Sequence, residues 1–203
     1  MPVVGGNVSL YNEGGEGPIY PTPVVGMVGE LPDAARAGVL GFARAGDAVA
    51  LIAARSWAPS LTGSELAKLR GAVPAGDLPP ADLGELRTLH AAVRQAVRSG
   101  ALSSAHDVAE GGLAVALAEC CVAGGIGAEL SLPQRGGDAE ALLFGEGPGA
   151  FVVSGPREAF AAFGSVATVL GTVGGDALVL DGWRAEVREL TAVHADGLAR
   201  LLD

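Results

Sequence analysis

The amino-acid sequence predicts an α/β or α+β architecture, a mixed β-sheet layered with helices, and three observations carry that prediction. Short β-branched apolar runs interleave with segments whose apolar residues recur every three to four positions. Glycine and proline, 32 and 12 of the 203 residues, punctuate the chain into many short elements with no repeat of fixed period. Hydrophobic residues make up 49% of the chain, enough for a sizeable core.

Residues 1–17 are a Gly-rich opening without apolar periodicity, and so abrupt a start predicts a chain cut from a longer polypeptide. Residues 19–28 read as extended, because Pro21 and Pro23 bar a helix while Val24, Val25 and Val28 favour a strand. A turn region, 31–46, leads to the nearly continuous apolar run 47–55, the pattern of a strand covered on both faces. Residues 64–70 predict a short helix ending at Gly71, and 74–80 a loop. Asp82 caps the next helix; Leu83, Leu86, Leu89, Val93 and Val97 form its stripe, and Gly100 ends it.

Residues 102–108 predict a strand, and the Glu110-Gly111-Gly112 turn opens a helix to about Val122 that is apolar on nearly every face and therefore central. Strands at 128–132, 150–154 and 167–173 then alternate with helices at 138–144 and 156–163. A hairpin of 177–180 and 184–189 turns at Asp181-Gly182, and a helix over 192–202 closes the chain. A two-layer domain of this kind buries one sheet face under helices and leaves the other for a partner, so an exposed apolar patch and a homodimer formed through it are expected.

The formal charge of −10 repels phosphate backbones and anionic lipid, which argues against nucleic acid and membrane surfaces as partners. Apolar runs such as 48–54 and 113–118 fall far short of the roughly 20 residues a bilayer requires. The first residues have neither the basic start nor the apolar stretch of a secretory signal, so a cytoplasmic location is expected. Cys120 and Cys121 are adjacent in an apolar helix, without metal-ligand spacing, and read as buried reduced thiols.

Three segments concentrate chemistry. In Gly5-Gly6-Asn7-Val8-Ser9 the glycines allow close backbone approach, an Asn carbonyl suits a hard cation and Ser can donate to an oxyanion; the same residues also spell an ordinary turn. The Gly-Lys-Ser/Thr ending of a phosphate-cradling loop is absent. Ser103-Ser104-Ala105-His106-Asp107-Val108-Ala109-Glu110-Gly111-Gly112 places hydroxyls, an imidazole and carboxylates ahead of a helix N-terminus, where either a helix cap or an anion site fits. Adjacent strand residues point to opposite faces, so His106 and Asp107 are not expected to work as a pair. In Phe144-Gly145-Glu146-Gly147, Glu146 reads as a residue that satisfies turn N–H groups. His90, near its helix stripe, and His194, in the last helix, read as packing or surface residues. No Ser–His–Asp constellation or metal cluster can be assembled from the spacing.

Gly6-Asn7-Val8-Ser9-Leu10-Tyr11-Asn12-Glu13, followed by Pro21-Thr22-Pro23-Val24-Val25-Gly26-Met27-Val28-Gly29, resembles a domain junction of the phosphoribosylformylglycinamidine synthase family, small-subunit-dependent form. Ser104-Ala105-His106-Asp107-Val108-Ala109-Glu110-Gly111-Gly112-Leu113 and Leu143-Phe144-Gly145-Glu146 resemble two further segments of that family in the same order. The Asp-x-x-x-Gly-Gly-Leu pattern is shared with aminoimidazole ribonucleotide synthetase and its superfamily. The resemblance implies that residues 1–30 end an amino-terminal-type domain and that 31–203 form a C-terminal domain of the aminoimidazole ribonucleotide synthetase type. It implies an ATP-dependent amidoligase of purine biosynthesis that turns formylglycinamide ribonucleotide and glutamine-derived ammonia into formylglycinamidine ribonucleotide, ADP and phosphate. By position, Gly6 would contact ATP, Asn7 would bind Mg2+ and Ser9 would contact the ribonucleotide.

His106, Asp107, Gly111 and Gly112 would face the cleft between domains, with no catalytic step assigned to them or to any other residue here. Implied partners are the upstream domains, a glutaminase subunit and a small bridging subunit. Two departures stand out. Gly149-Ala150 lies where the family usually carries an Arg, and the family's catalytic His, ATP-contacting Lys and most Mg2+ carboxylates belong to upstream domains. The isolated chain is therefore expected to fold without catalysing. The alternatives are a free-standing binding module of the same fold and another ATP-dependent member of the superfamily, the latter disfavoured by the Asn7-to-Glu13 segment.

Overall fold

A computed structural model describes residues 2–202 apart from 9, 10, 16, 20, 21, 73–76, 79 and 134–137, with backbone alone for 198–202. The chain divides into two compact units, Met1–Pro32 and Asp33–Asp203. In the first, β1 (Glu13–Gly14) pairs antiparallel with β2 (Gly17–Pro18), and Ile19 N–H donates to Asn12 O at 3.0 Å. The strand expected over 19–28 is not formed among the described residues, and Val24, Val25 and Val28 are exposed. Among the described residues these valines pair with no strand, and β-branched residues without a partner strand gain little from extension.

The second unit opens with a 3-10 turn, Ala34–Arg36, capped by Asp33, and reaches β3 (Ala48–Ala53), all six of whose residues are buried. After it come α1 (Glu65–Leu69), with Ser64 as its cap, and α2 (Leu83–Arg98), with Asp82 as its cap. Both Ser and Asp accept backbone N–H groups that a first helical turn leaves unpaired. Leu89 and Val93 of the expected stripe are buried, whereas Leu83 in the first turn is exposed. Between β3 and α1, Glu85 accepts from the backbone N–H groups of Arg55 and Ser56 and from the Ser56 hydroxyl. The Ser56 hydroxyl, with those backbone bonds, holds this carboxyl below its ordinary range.

The remaining elements are β4 (Ser104–Asp107), α3 (Gly112–Gly124), β5 (Ala128–Leu130), α4 (Ala139–Phe144), β6 (Ala150–Gly155), β7 (Ala167–Val173), β8 (Ala177–Leu180), β9 (Trp183–Glu186) and α5 (Val187–Leu202). The helix expected over 156–163 is a 3-10 segment, Arg157–Val166, broken at Gly164 by its positive φ of 57°. The last helix starts five residues earlier than expected, at Val187 rather than 192. The β8–β9 ladder ends at the Ala177–Glu186 pair, and buried Val187 donates its N–H to Asp176 O at 2.8 Å, which frees the chain to coil.

Seven strands form one mixed sheet in the order β4-β6-β3-β7-β5-β8-β9, antiparallel throughout except for β5 with β8. The central place of β3 between β6 and β7 explains its uninterrupted apolar run. Opposite residues of an antiparallel pair share a face, so Asp107 and Phe151 face one side and His106 and Val152 the other. Phe151 meets His90 of α2 edge-on at 5.2 Å, and His106 meets Glu119 of α3. Helices α2 and α3 therefore cover opposite faces of the β4–β6 region. That corrects the two-layer expectation: the chain's own α2 covers the second face there, and no partner is required for it. Cys120 and Cys121, both on α3, are buried in the core, and burial pushes the Cys121 thiol up to about 12 and that of Cys120 further. No helix among the described residues is long and apolar enough to cross a membrane.

Candidate functional site

A cleft of about 430 Å3 opens at the end of β4, walled by His90 of α2, Asp107, Glu110 and Glu146, with Phe151 and the Gly147-Pro148-Gly149 turn as its floor. Strand alternation decides which motif residues reach it. Asp107 does. The His106 side chain, only 9% exposed, points to the α3 side: Nδ1 lies 2.6 Å from the Asp107 carbonyl oxygen and Nε2 lies 3.1 Å from Glu119 Oε2, without hydrogen-bond alignment at the latter. The Asp107 carboxylate is 3.6 Å from Nδ1 and stands 65% exposed, so the two do not form a buried acid–base dyad.

The N-terminus of α3 is already occupied by the protein's own anion. Glu146 Oε1 accepts from Gly111 N–H at 2.9 Å and from Glu65 N–H, at the start of α1, at 2.7 Å. Its backbone pairs with Ser60 in both directions, at 3.0 and 2.9 Å. The reading of Glu146 as a turn-satisfying residue is what the geometry displays: its carboxylate takes the N–H of Gly111, the cap residue of α3, while Gly112 N–H donates to Ala109 O at 3.1 Å.

Gly111 and Gly112 answer to packing. Both have positive φ, 79° and 73°, and a Cβ on Gly112 would lie 2.7 Å from Leu143 O and 2.8 Å from Gly145 O, at the end of α4. Neither Gly111, Gly112 nor His106 is among the residues lining the cleft, whereas Asp107 is. His90 lines it although the sequence reading treats it as packing or surface. It does pack, against Phe151, and no local signal in α2 shows that its ring also reaches the β4 end.

The departure at Gly149-Ala150 also has a structural setting. Gly149 has φ 106° and a Cβ there would press on Leu86, while Ala150 is buried opposite Ala53. Among the described residues no Lys or Arg lines the cleft, and its formally charged groups are the carboxylates of Asp107, Glu110 and Glu146. Such a lining suits hydroxyl or cationic groups better than a phosphate.

In the first unit, Gly5 and Gly6 have open space where a Cβ would stand, and Asn7 is exposed. The amide oxygen of Asn7 is a hard donor of the type Mg2+ takes, but one oxygen falls far short of its octahedral set. Ser9 lies outside the described residues. Among the described residues no group of three or more His, Cys, Asp or Glu is placed to hold a metal ion.

Residues 44–180 match the family described as AIR synthase related protein, C-terminal domain. The phosphoribosylformylglycinamidine synthase subunit PurL of Anaeromyxobacter sp. (strain Fw109-5) is 41% identical over 221 aligned positions, covering 99% of this chain and 28% of that protein. The subunit of the same name from Moorella thermoacetica is 44% identical over 187 positions, covering 88% of this chain and 25% of its own length. The chain thus spans about a quarter of the curated relatives it matches. Among solved structures, T. maritima PurL complexed with FGAR aligns with a TM-score of 0.62 at 16% identity, over 78% of this chain and 30% of that one. Hydrogenase maturation protein HypE aligns with a TM-score of 0.51 at 18% identity, over 74% of this chain and 55% of that one. At such identities the structural likeness is one of fold.

Proposed function

We propose, from the premise that this chain belongs to the family AIR synthase related protein, C-terminal domain, that it works as the C-terminal part of an ATP-dependent amidoligase of purine biosynthesis. The reaction is that of phosphoribosylformylglycinamidine synthase, in which ATP activates the substrate amide oxygen and ammonia displaces the phosphate. One observation carries the reading: the match to the Anaeromyxobacter subunit covers 99% of this chain, so it includes Gly6–Glu13 as well as the family domain. A free-standing module has no chemical need of the first segment.

In this reading residues 1–30 complete a preceding domain and 31–203 form the C-terminal domain, a division supported by the compact units meeting at Pro32 and Asp33. Gly6, lacking a side chain, lets the backbone approach ATP phosphates; the Asn7 amide oxygen supplies one ligand to Mg2+; Ser9 donates to the ribonucleotide. Bound Mg2+ would neutralise phosphate charge as it shifts toward the leaving oxygen. The rest of the ligand set and the groups that handle ammonia belong to upstream domains. The partners are those domains, a glutaminase subunit and a small bridging subunit, and the compartment is the cytoplasm.

An antibody against residues 82–203, used on the source cells, tests the reading. A native species several times larger than this chain is expected, and in that species Asn7→Ala should lower kcat/KM with ammonia by roughly 100-fold, with the loss shrinking as Mg2+ is raised. The purified 203-residue chain should form no product. A native species of this chain's own size, or turnover by the chain alone, would overturn the assignment.

A further inference from the structure

Helix α3 is apolar on nearly every side, and a helix of that composition belongs in an interior. Its inner face meets this requirement through fully buried Leu113 and Leu117. Its outer face does not. Between α3, α5 and the β8–β9 hairpin lies a groove of about 830 Å3, with Leu178 and Leu180 as its floor and Leu190 on one wall. Large apolar side chains are open along it: Val115 is 37% exposed, Trp183 57% and Val193 61%. Ala114 and Ala118, one turn apart on α3, leave room for another backbone to approach.

Charge selects the occupant. Among the described residues, the formally charged ones lining the groove are Glu119, Asp181 and Glu189, all carboxylates, with His194 beside them. A second copy would bring the same acidic rim and a further charge of −10 to the contact. Anionic lipid and nucleic acid meet the same repulsion. An amphipathic helix with aliphatic anchors and Lys or Arg along its margins meets both the apolar floor and the acidic rim.

We propose that this groove docks a cationic amphipathic helical segment of a partner polypeptide. The claim is independent of the amidoligase reading, since it rests on the far side of α3 from the Asp107 cleft. The test uses the 203-residue chain and a labelled Leu/Lys amphipathic peptide of about 15 residues, with a Leu/Glu peptide of the same pattern as control. Fluorescence anisotropy should show the Leu/Lys peptide binding at least about tenfold more tightly, with an affinity that falls as salt rises. Val193→Glu is the deciding variant. It adds a negative charge, so unspecific attraction of a cationic peptide would strengthen, whereas docking in the groove should weaken about tenfold or more. Glu189→Lys should weaken it too, and both exposed substitutions should leave the circular dichroism melt unchanged. Equal affinity for the two peptides, or tighter binding to Val193→Glu, would overturn the proposal. So would a stable dimer at low salt that Val193→Glu dissociates, which would make a second copy the occupant.

Discussion

When one carboxylate oxygen accepts two backbone N–H groups, removing it strands both donors. Glu146 Oε1 does this for Gly111 and Glu65, and so ties the start of α3 to the start of α1. The expected cost of Glu146→Ala is about 1–3 kcal/mol, the scale for one donor left unpaired, because the Gly111 donor is half-buried while the exposed Glu65 N–H can turn to water. Glu146→Gln keeps a carbonyl oxygen at the same reach and should lose only about 1 kcal/mol. Urea unfolding of the two variants measures the difference. Equal losses would mean that packing of the side chain, and not its acceptor oxygen, holds the turn. His106 teaches the complementary lesson: next to Asp107 in sequence, it is directed by strand alternation to Glu119 and away from the cleft.

At the scale of elements, Gly-Gly motifs invite a ligand explanation, and the α3 entry shows why packing must be weighed first. Gly112→Ala would place a methyl group against Leu143 O and Gly145 O as well as straining a backbone at φ 73°. Gly175, at φ 76° in open space, carries the same strain without the contact. Gly175→Ala should cost about 1–2 kcal/mol, and Gly112→Ala about 1–3 kcal/mol more, so thermal melts of the pair isolate the packing contribution. Most elements were legible because their signals are local: Ser64, Asp82 and Asp138 cap the helices they precede, and the unbroken apolar run at β3 reads as a central strand. The misread ones depend on partners. Val24, Val25 and Val28 have β propensity but are paired with no strand among the described residues, while the start of α5 depends on where β8 stops pairing with β9. The cleft was legible only in part, since Asp107 and Glu146 stand in marked motifs but His90 arrives from another helix by tertiary packing.

For the molecule as a whole, two opposing forces bear on self-association. The groove beside α3 exposes apolar surface that favours contact between copies, and the formal charge of −10 opposes it. Ionic strength shifts the balance, because the Debye length falls from about 30 Å at 0.01 M salt to about 3 Å at 1 M. At low salt the repulsion acts across the full width of a contact, and the chain should sediment as a monomer. At high salt the charges are screened while the apolar surface keeps its affinity, and weak reversible association should appear. Val193→Glu places a charge in the apolar strip itself, which contact would strip of water, and should suppress that association even at high salt. Sedimentation equilibrium across this salt range decides the matter. Association that weakens as salt rises would show that ion pairs and not the groove join the copies, and the homodimer expected from the sequence would then need a different surface.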